Sequence, residues 1–232
     1  MTTPAPSPLP LVPVIAIDGP SASGKGTVAQ LVAQRLGFHY LDSGALYRIV
    51  ALAARQRGIP WQDAAALAQM APQLDIRFNH DQILLDGENV SAAVRTEEMS
   101  RGASEVAVHP ALREALVELQ RSFRQAPGLV ADGRDMGSVI FPDAQTKIFL
   151  TATADVRAMR RYKQLMEKGN HANLAQILQD LQLRDERDRQ RAVAPLQKCE
   201  GATLLDTDDL TIAQAVQSVL DRQAACMKQQ HR

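Results

Sequence analysis

The stretch VPVIAIDGPSASGKGTVAQLVAQRLG, residues 12 to 37, constrains the fold more than any other part of the chain. VPVIAID is a continuous apolar run ending in an aspartate, the pattern of a parallel strand buried on both faces. The closing TVAQLVAQRLG sets Val28, Leu31, Val32 and Leu36 on one stripe at helical spacing and stops at Gly37, a C-cap residue. Between the two, Gly19, Gly24 and Lys25 fit G-x-x-x-x-G-K, a loop whose backbone curls around a polyphosphate and aims N–H groups at it. A helix opening near Gly26 adds its positive dipole end, and Lys25 is placed to reach the outer phosphates. Gly26 follows Lys25 and Thr27 comes one step later, so the hydroxyl that commonly touches Mg²⁺ is displaced. Thr27 is therefore expected on an α- or β-phosphate oxygen, with magnesium held largely through water.

The rest of the chain alternates strand-like and helix-like segments. FHYLDSG reads as a second strand ending at Asp42, and ALYRIVALAARQRG as a helix closed by Gly58. QDAAALAQMAP gives a short third helix. Residues 74 to 94 change character: they alternate in polarity and carry NHDQ and DGEN, both turn signals, which predicts a small antiparallel sheet. Residues 95 to 126 predict two helices broken near Pro110. GLVADG and KIFLTA are further buried-type strands, followed by helices over about 154–168 and 173–191, a last strand ATLLD and a closing helix from Thr211. Strands alternating with helices predict an α/β fold with a parallel sheet flanked by helices.

Composition narrows the partners. Lys plus Arg and Asp plus Glu both number 26, so the net charge is zero, whereas a polymer or membrane binder is usually basic overall. A compact ligand is expected, with no nucleic acid and no membrane. No apolar run approaches the roughly 18 residues of a transmembrane helix. Cys199 and Cys226 have no metal-like spacing and too few pairs for a disulfide scaffold, which fits a reduced, cytoplasmic compartment. His39, His80, His109, His171 and His231 are scattered without metal or triad spacing. The first thirteen residues hold five prolines and no basic leader region, so residues 1–11 read as an extended, disordered tail. Residues 12–232 are expected to form one domain working as a monomer.

A triphosphate loop does not by itself separate a kinase from a switch GTPase or an ATPase. The guanine-reading N-K-x-D is absent, a loop ending in K-G-T is typical of kinases that phosphorylate nucleotides, and the arginines add more. Arg48 lies six residues beyond the second strand and Arg134 follows the third. RDERDRQR puts Arg184, Arg187, Asp188 and Arg191 on one helical face, and Arg157, Arg160 and Arg161 cluster on another. Taken alone, each cluster describes a salt-bridged, solvated face. Beside a phosphate loop they describe cations gathered around a migrating, charge-rich group, and a means of excluding water. Asp132, ending GLVAD, has the place of a magnesium-side aspartate beyond a parallel strand; an aspartate capping a turn is the alternative. Two rival readings stay open: a P-loop kinase for a non-nucleotide metabolite, and an RNA-binding or regulatory ATPase-like module.

The motifs IDGPSASGKGT, LDSGALYR, RTEEMSRGASEVAVHPALRE, VADGRDMGSVIFPDA and RDERDRQRAVAP run in order from about residue 14 to 208. Together they resemble the bacterial cytidylate kinases, members of the P-loop nucleoside monophosphate kinases. The resemblance implies a P-loop kinase core with a five-stranded parallel sheet, a CMP-binding insertion with a small antiparallel sheet at about 59–110, and a helical lid at about 157–170. It implies transfer of the ATP γ-phosphate to CMP, with dCMP as second substrate and Mg²⁺ as the metal. Residue by residue, it implies that Gly19, Pro20, Ser21, Ala22, Ser23, Gly24, Lys25, Gly26 and Thr27 wrap the ATP phosphates. Ser43, Arg48 and Arg134 would hold the CMP phosphate. Ser104, Arg113, Asp135 and Arg191 would face cytosine, while Arg184 and Asp188 would bind the ribose. Lys25, Arg134, Arg157 and Arg161 would be catalytic, with Arg160 on the ATP side and Asp132 near the metal.

Overall fold

The computed structural model describes residues 12–79, 82–167, 169 and 171–230. The proline-rich tail 1–11, the tip of the expected NHDQ turn (His80 and Asp81) and His231 lie outside the described residues. The core elements are β1 (Val14–Asp18), α1 (Lys25–Leu36), β2 (His39–Asp42), α2 (Ser43–Gln56), β6 (Leu129–Gly133), β7 (Thr146–Thr151), α7 (Ala154–Glu167), α8 (Leu174–Arg189), β8 (Thr203–Asp206) and α9 (Ile212–Gln230). Between α2 and β6 stand α3 (Ala64–Met70), β3 (Ile76–Asn79), β4 (Gln82–Leu85), β5 (Glu88–Asn89), α4 (Glu97–Val106), α5 (Pro110–Ala115) and α6 (Val117–Ser122).

β1 is buried along its whole length because a layer of core lies on each side of it. Successive strand side chains point to opposite faces, so Val14 and Ala16 enter one core while Ile15 and Ile17 enter the other. β6 repeats the pattern, with Leu129 and Ala131 on the first side and Val130 on the second. The second core is closed by Val28, Ala29 and Val32 of α1 and by Ala215, Val216 and Val219 of α9. The first is closed by α2 and by apolar residues of the segment between α2 and β6. The sheet order is β2-β6-β1-β7-β8, all parallel, as the alternation of strands and helices predicts. From β1 the chain runs out to β2, returns with β6, and then crosses to β7. Loops therefore part at the C-terminal end of β1, where an open α/β sheet forms its ligand crevice.

The inserted segment forms the expected antiparallel sheet, in the order β3-β4-β5. α3 and α4 begin at side-chain caps: Asp63 accepts from the Ala66 N–H at 3.0 Å and Thr96 from the Met99 N–H at 3.3 Å. α4 packs along α2, and Trp61 fixes the junction by donating its indole N–H to the Ala51 carbonyl at 3.0 Å. The indole lies so close to Gly102 of α4 that a Cβ there would approach it to 2.6 Å. α3 packs against α5, so the insertion's own packing runs past the expected boundary at about residue 110.

Two features differ from the sequence reading. The stretch expected to hold two helices holds α4, α5 and α6, with a second break at Leu116. There the Leu116 N–H is shared between the Leu112 and Arg113 carbonyls at 3.1 and 3.3 Å, a tightened turn that no Gly or Pro announces. Met136–Ile140 forms one turn of π-helix, an element absent from the sequence reading. It is anchored by buried Asp18, which accepts the Met136 and Gly137 N–H groups at 2.8 and 2.9 Å.

The phosphate loop itself leans on the sheet. A Cβ at Gly19 would lie 2.0 Å from the Leu150 carbonyl oxygen, a backbone atom of β7 that cannot swing aside. Gly19→Ala is expected to force the loop off the sheet and to cost about 1–3 kcal/mol, as overpacking does. In thermal unfolding this appears as a Tm lower by roughly 2–10 °C.

Candidate active site

The loop after β1 carries the conformation that phosphate binding requires. Gly24 sits at the N-cap of α1 with φ +90°, a left-handed conformation that glycine adopts without cost. No side chain caps α1, so its first N–H groups are available to an anion. Lys25 is buried and donates to the Pro20 carbonyl at 3.2 Å. Burial, and then the positive charge of Arg134, push its ammonium down to about 7, so the site is short of negative charge.

Above this loop opens a cleft of about 1300 Å³. Every residue expected at the site lines it except Gly19, Pro20 and Arg157. α2 supplies Ser43 and Arg48, the α4–α5 region supplies Ser104 and Arg113, and the loop after β6 supplies Arg134 and Asp135. α7 brings Arg160 and Arg161, and the end of α8 brings Arg184, Asp188 and Arg191.

Most of these cations already face an acceptor. Arg48 donates to Asp42 at 2.6 Å, and Arg134 donates to Asp188 at 2.8 Å and to the Ser21 hydroxyl at 2.7 Å. Arg191 pairs with the other oxygen of Asp188, whose carboxyl the surrounding arginines hold below the usual range against the opposing effect of burial. Arg113 pairs with Asp135, both buried, and its guanidinium stands 5.7 Å from the centre of the Tyr47 ring. Arg184 donates to Ser100 at 2.9 Å, and Arg161 pairs with Glu97 across the cleft mouth. Arg160 donates to the Ser23 carbonyl at 3.2 Å and the Thr207 carbonyl at 2.5 Å. Yet the Nε atoms of Arg48, Arg184 and Arg191 and the Ser23 hydroxyl are buried without partners. All four residues line the cleft, where donors outnumber acceptors, a balance that an anionic ligand would complete.

Arg157 is the exception. It is buried within the protein with each of its three nitrogens bonded, to the Ala152 carbonyl, the Ser21 carbonyl and Asp185.

The carboxylates on the loop side fit a hard cation. Asp42 and Asp132 stand in register at the ends of β2 and β6. Asp42 is occupied, capping α2 through the Ala45 N–H at 2.9 Å and holding Arg48. Asp132 accepts from the Tyr40 hydroxyl at 2.7 Å, and burial followed by the charge of Asp42 pushes its carboxyl up to about 6. Among the described residues no group of three or more His, Cys, Asp or Glu gathers as a metal cage. One carboxylate without an ion-pair partner beside a phosphate loop suits Mg²⁺, which keeps waters and takes phosphate oxygens, rather than zinc.

Sequence reasoning missed the partners more than the arginines. Asp42, Tyr40, Ser100 and Asp185 bond site residues directly, and Asp18 anchors the turn that follows Asp135. Arg187, seen only as part of a helical face, donates to Ser104 at 3.1 Å. A signal existed for Asp18 and Asp42, since each ends a strand at the sheet's C-terminal edge. None existed for Asp185, which shares a charged helix with many equivalent neighbours.

Comparison with known proteins identifies the family. The family model for cytidylate kinase matches residues 15–225. A cytidylate kinase from Polynucleobacter necessarius subsp. necessarius (strain STIR1) is 63% identical over 211 residues, covering 91% of this chain and 98% of that one. One from Cupriavidus necator (strain ATCC 17699) is 59% identical over 215 residues, covering 93% and 97%. Among solved structures, the chain is similar to a gluconokinase from Sinorhizobium meliloti 1021, with a TM-score of 0.48 and 16% identity over 95% of this chain and 97% of that one. A match running through the phosphate loop, the insertion and both arginine helices places the chain in the cytidylate kinase family.

Proposed function

We propose that this protein transfers the γ-phosphate of ATP to CMP, and to dCMP as second substrate, giving ADP and CDP or dCDP. The observation that carries this reading is the gathering of Arg48, Arg134, Arg184 and Arg191 around the same cleft as the phosphate loop. Such a cleft has room and charge for two phosphorylated ligands facing each other. The membership of the cytidylate kinase family supplies the base. The protein would do this in the cytoplasm as a monomer; no described helix is long and apolar enough to cross a membrane.

The residues Gly19 to Thr27 would wrap the ATP phosphates through backbone N–H groups, with Lys25 on the transferring group and Arg160 on the nucleotide's other side. Ser43, Arg48 and Arg134 would hold the CMP phosphate in line with it. Arg134 already touches Ser21, so a phosphate on Arg134 lies next to the loop. No general base is required, because the attacking atom is an anionic phosphate oxygen. Mg²⁺, held beside Asp132 largely through water, would neutralise charge on the triphosphate. Arg161 would act from the lid, where its pair with Glu97 already spans the cleft mouth. Arg184 and Asp188 would take the ribose.

Cytosine presents an amino donor at C4 beside acceptors at N3 and O2, and uracil exchanges the first two. Asp135 and the Ser104 hydroxyl can accept from the amino group, while Arg113 and Arg191 can donate to the ring. Asp135 is held by buried Arg113 before any base arrives. The test of the whole reading is a coupled assay with a panel of nucleoside monophosphates, in which CMP must lead in kcat/KM.

Three outcomes are expected. Lys25→Met lowers kcat by about a hundredfold to a thousandfold, the usual loss for one positioned charge, while CMP binding by titration stays near that of the parent. The parent prefers CMP over UMP by roughly a hundredfold or more, since each of two buried mismatches costs about 1–3 kcal/mol, and Asp135→Asn shrinks that ratio mainly by losing CMP turnover. ATP binding takes up protons: free Lys25 titrates at about 7, and an adjacent polyphosphate raises it. At pH 8, where ATP phosphates are ionised, calorimetry in buffers of different ionisation enthalpy should show uptake of about one proton, and affinity should fall as pH rises above about 7. Lys25→Met should abolish the uptake.

A further inference from the structure

The helix that carries the proposed acceptor-binding residues is tied to the phosphate loop twice, and both ties end on Ser21. In the first, Asp188 of α8 accepts from Arg134 at 2.8 Å, and Arg134 donates to the Ser21 hydroxyl at 2.7 Å. In the second, Asp185 of α8 accepts from both terminal nitrogens of Arg157 at 3.2 and 2.5 Å, and the nitrogen at 3.2 Å also donates to the Ser21 carbonyl at 3.0 Å. Arg157 also holds the Ala152 carbonyl at 2.9 Å, just past the end of β7. Arg157 and Asp185 are each 3% exposed, so water does not compete for these bonds.

We propose that Asp185 is a positioning residue for phosphoryl transfer: through Arg157 it fixes the Ser21 carbonyl, and so sets the phosphate loop against the helix bearing Arg184, Asp188 and Arg191. The inference rests on the kinase reading above. Asp185 does not line the cleft and touches no ligand site itself. Its place is one residue from Arg184 and three from Asp188, so the turn of α8 that would grip the acceptor also carries the brace to the donor loop. A guanidinium with its plane fixed by a two-pronged carboxylate has little freedom left to aim elsewhere. The carbonyl of Ser21 follows it, and with it the neighbouring N–H groups at Ala22, Ser23 and Gly24 that would meet the phosphates. In-line transfer is sensitive to misplacement on the scale of an ångström, where a hundredfold in rate can be lost without loss of binding.

A purely structural ion pair would act differently. It would lower stability and, if it damaged α8, would weaken CMP binding in step with turnover. The experiment separates these cases using the full chain, CMP and MgATP. Asp185→Asn is compared with the double variant Arg157→Met/Asp185→Leu, which removes both charges and fills the space, a change that buried pairs often tolerate. Thermal unfolding establishes that the protein assayed is folded, CMP affinity is measured by titration, and kcat is measured at saturating substrates. The expected result is a kcat lower by about tenfold to a hundredfold in the folded double variant and in Asp185→Asn, with CMP affinity within about threefold of the parent. A folded double variant with the parent's kcat, or a loss of CMP affinity that accounts for the loss of rate, overturns the proposal. Failure of the parent itself to phosphorylate CMP in the same assay overturns the kinase reading instead.

Discussion

Guanidinium groups drawn to one crevice repel one another, and the wall around them is too dry to screen that repulsion. The rim of the sheet is organised by this constraint. Arg184 loses proton affinity to about 10, through burial first and the charge of Arg134 second, and Lys25 falls to about 7 for the same kinds of reason. Asp42, Asp188, Asp135 and Asp185 answer with one negative charge each at the arginines that matter most. Without them the helices α2, α7 and α8 could not converge, since an unpaired buried charge costs several kcal/mol.

The compensation is deliberately incomplete at the cleft surface. Asp188 serves Arg134 and Arg191 together, while Arg184 has only the neutral hydroxyl of Ser100 and an unpartnered Nε. The surplus positive potential lies between α8 and the phosphate loop, where polyanionic substrates would complete the pairing. On the proposed reading, selectivity by charge and selectivity by base would occupy separate places. The charge set is shared among helices and loops from the whole core, whereas the Arg113–Asp135 pair sits deep, under Tyr47, where a ring's edge can be read away from water.

Much of this was legible in the sequence because it is local. An apolar run ending in Asp18, glycines at fixed offsets and a helical stripe are enough to define the first strand, loop and helix. The arginines announced themselves by helical spacing, and the antiparallel sheet by alternation and turn residues. What stayed hidden depends on approach in space. Asp18 meets Met136 and Gly137 across 118 and 119 residues of chain, and Arg157 meets Asp185 across 28. No periodicity encodes such pairs. The break at Leu116 was hidden for a different reason: shared hydrogen bonds, rather than a helix-breaking residue, make it. The choice of cytosine came only from resemblance, since the chemistry of Asp135 and Arg113 is common to many turns and helices.

The junction of the insertion with the core has an optical consequence. Trp61 is the single tryptophan of the chain, and its indole is held between the Ala51 carbonyl of α2 and Gly102 of α4. Emission from this one ring therefore reports the seam between α2 and the insertion, and nothing from the sheet or the lid. A denaturation followed by tryptophan fluorescence records the moment that seam opens, while circular dichroism records the helices of the whole molecule. Coincidence of the two curves would mean that insertion and core melt as one cooperative unit; a fluorescence change at lower denaturant would mark the insertion as a separately melting body.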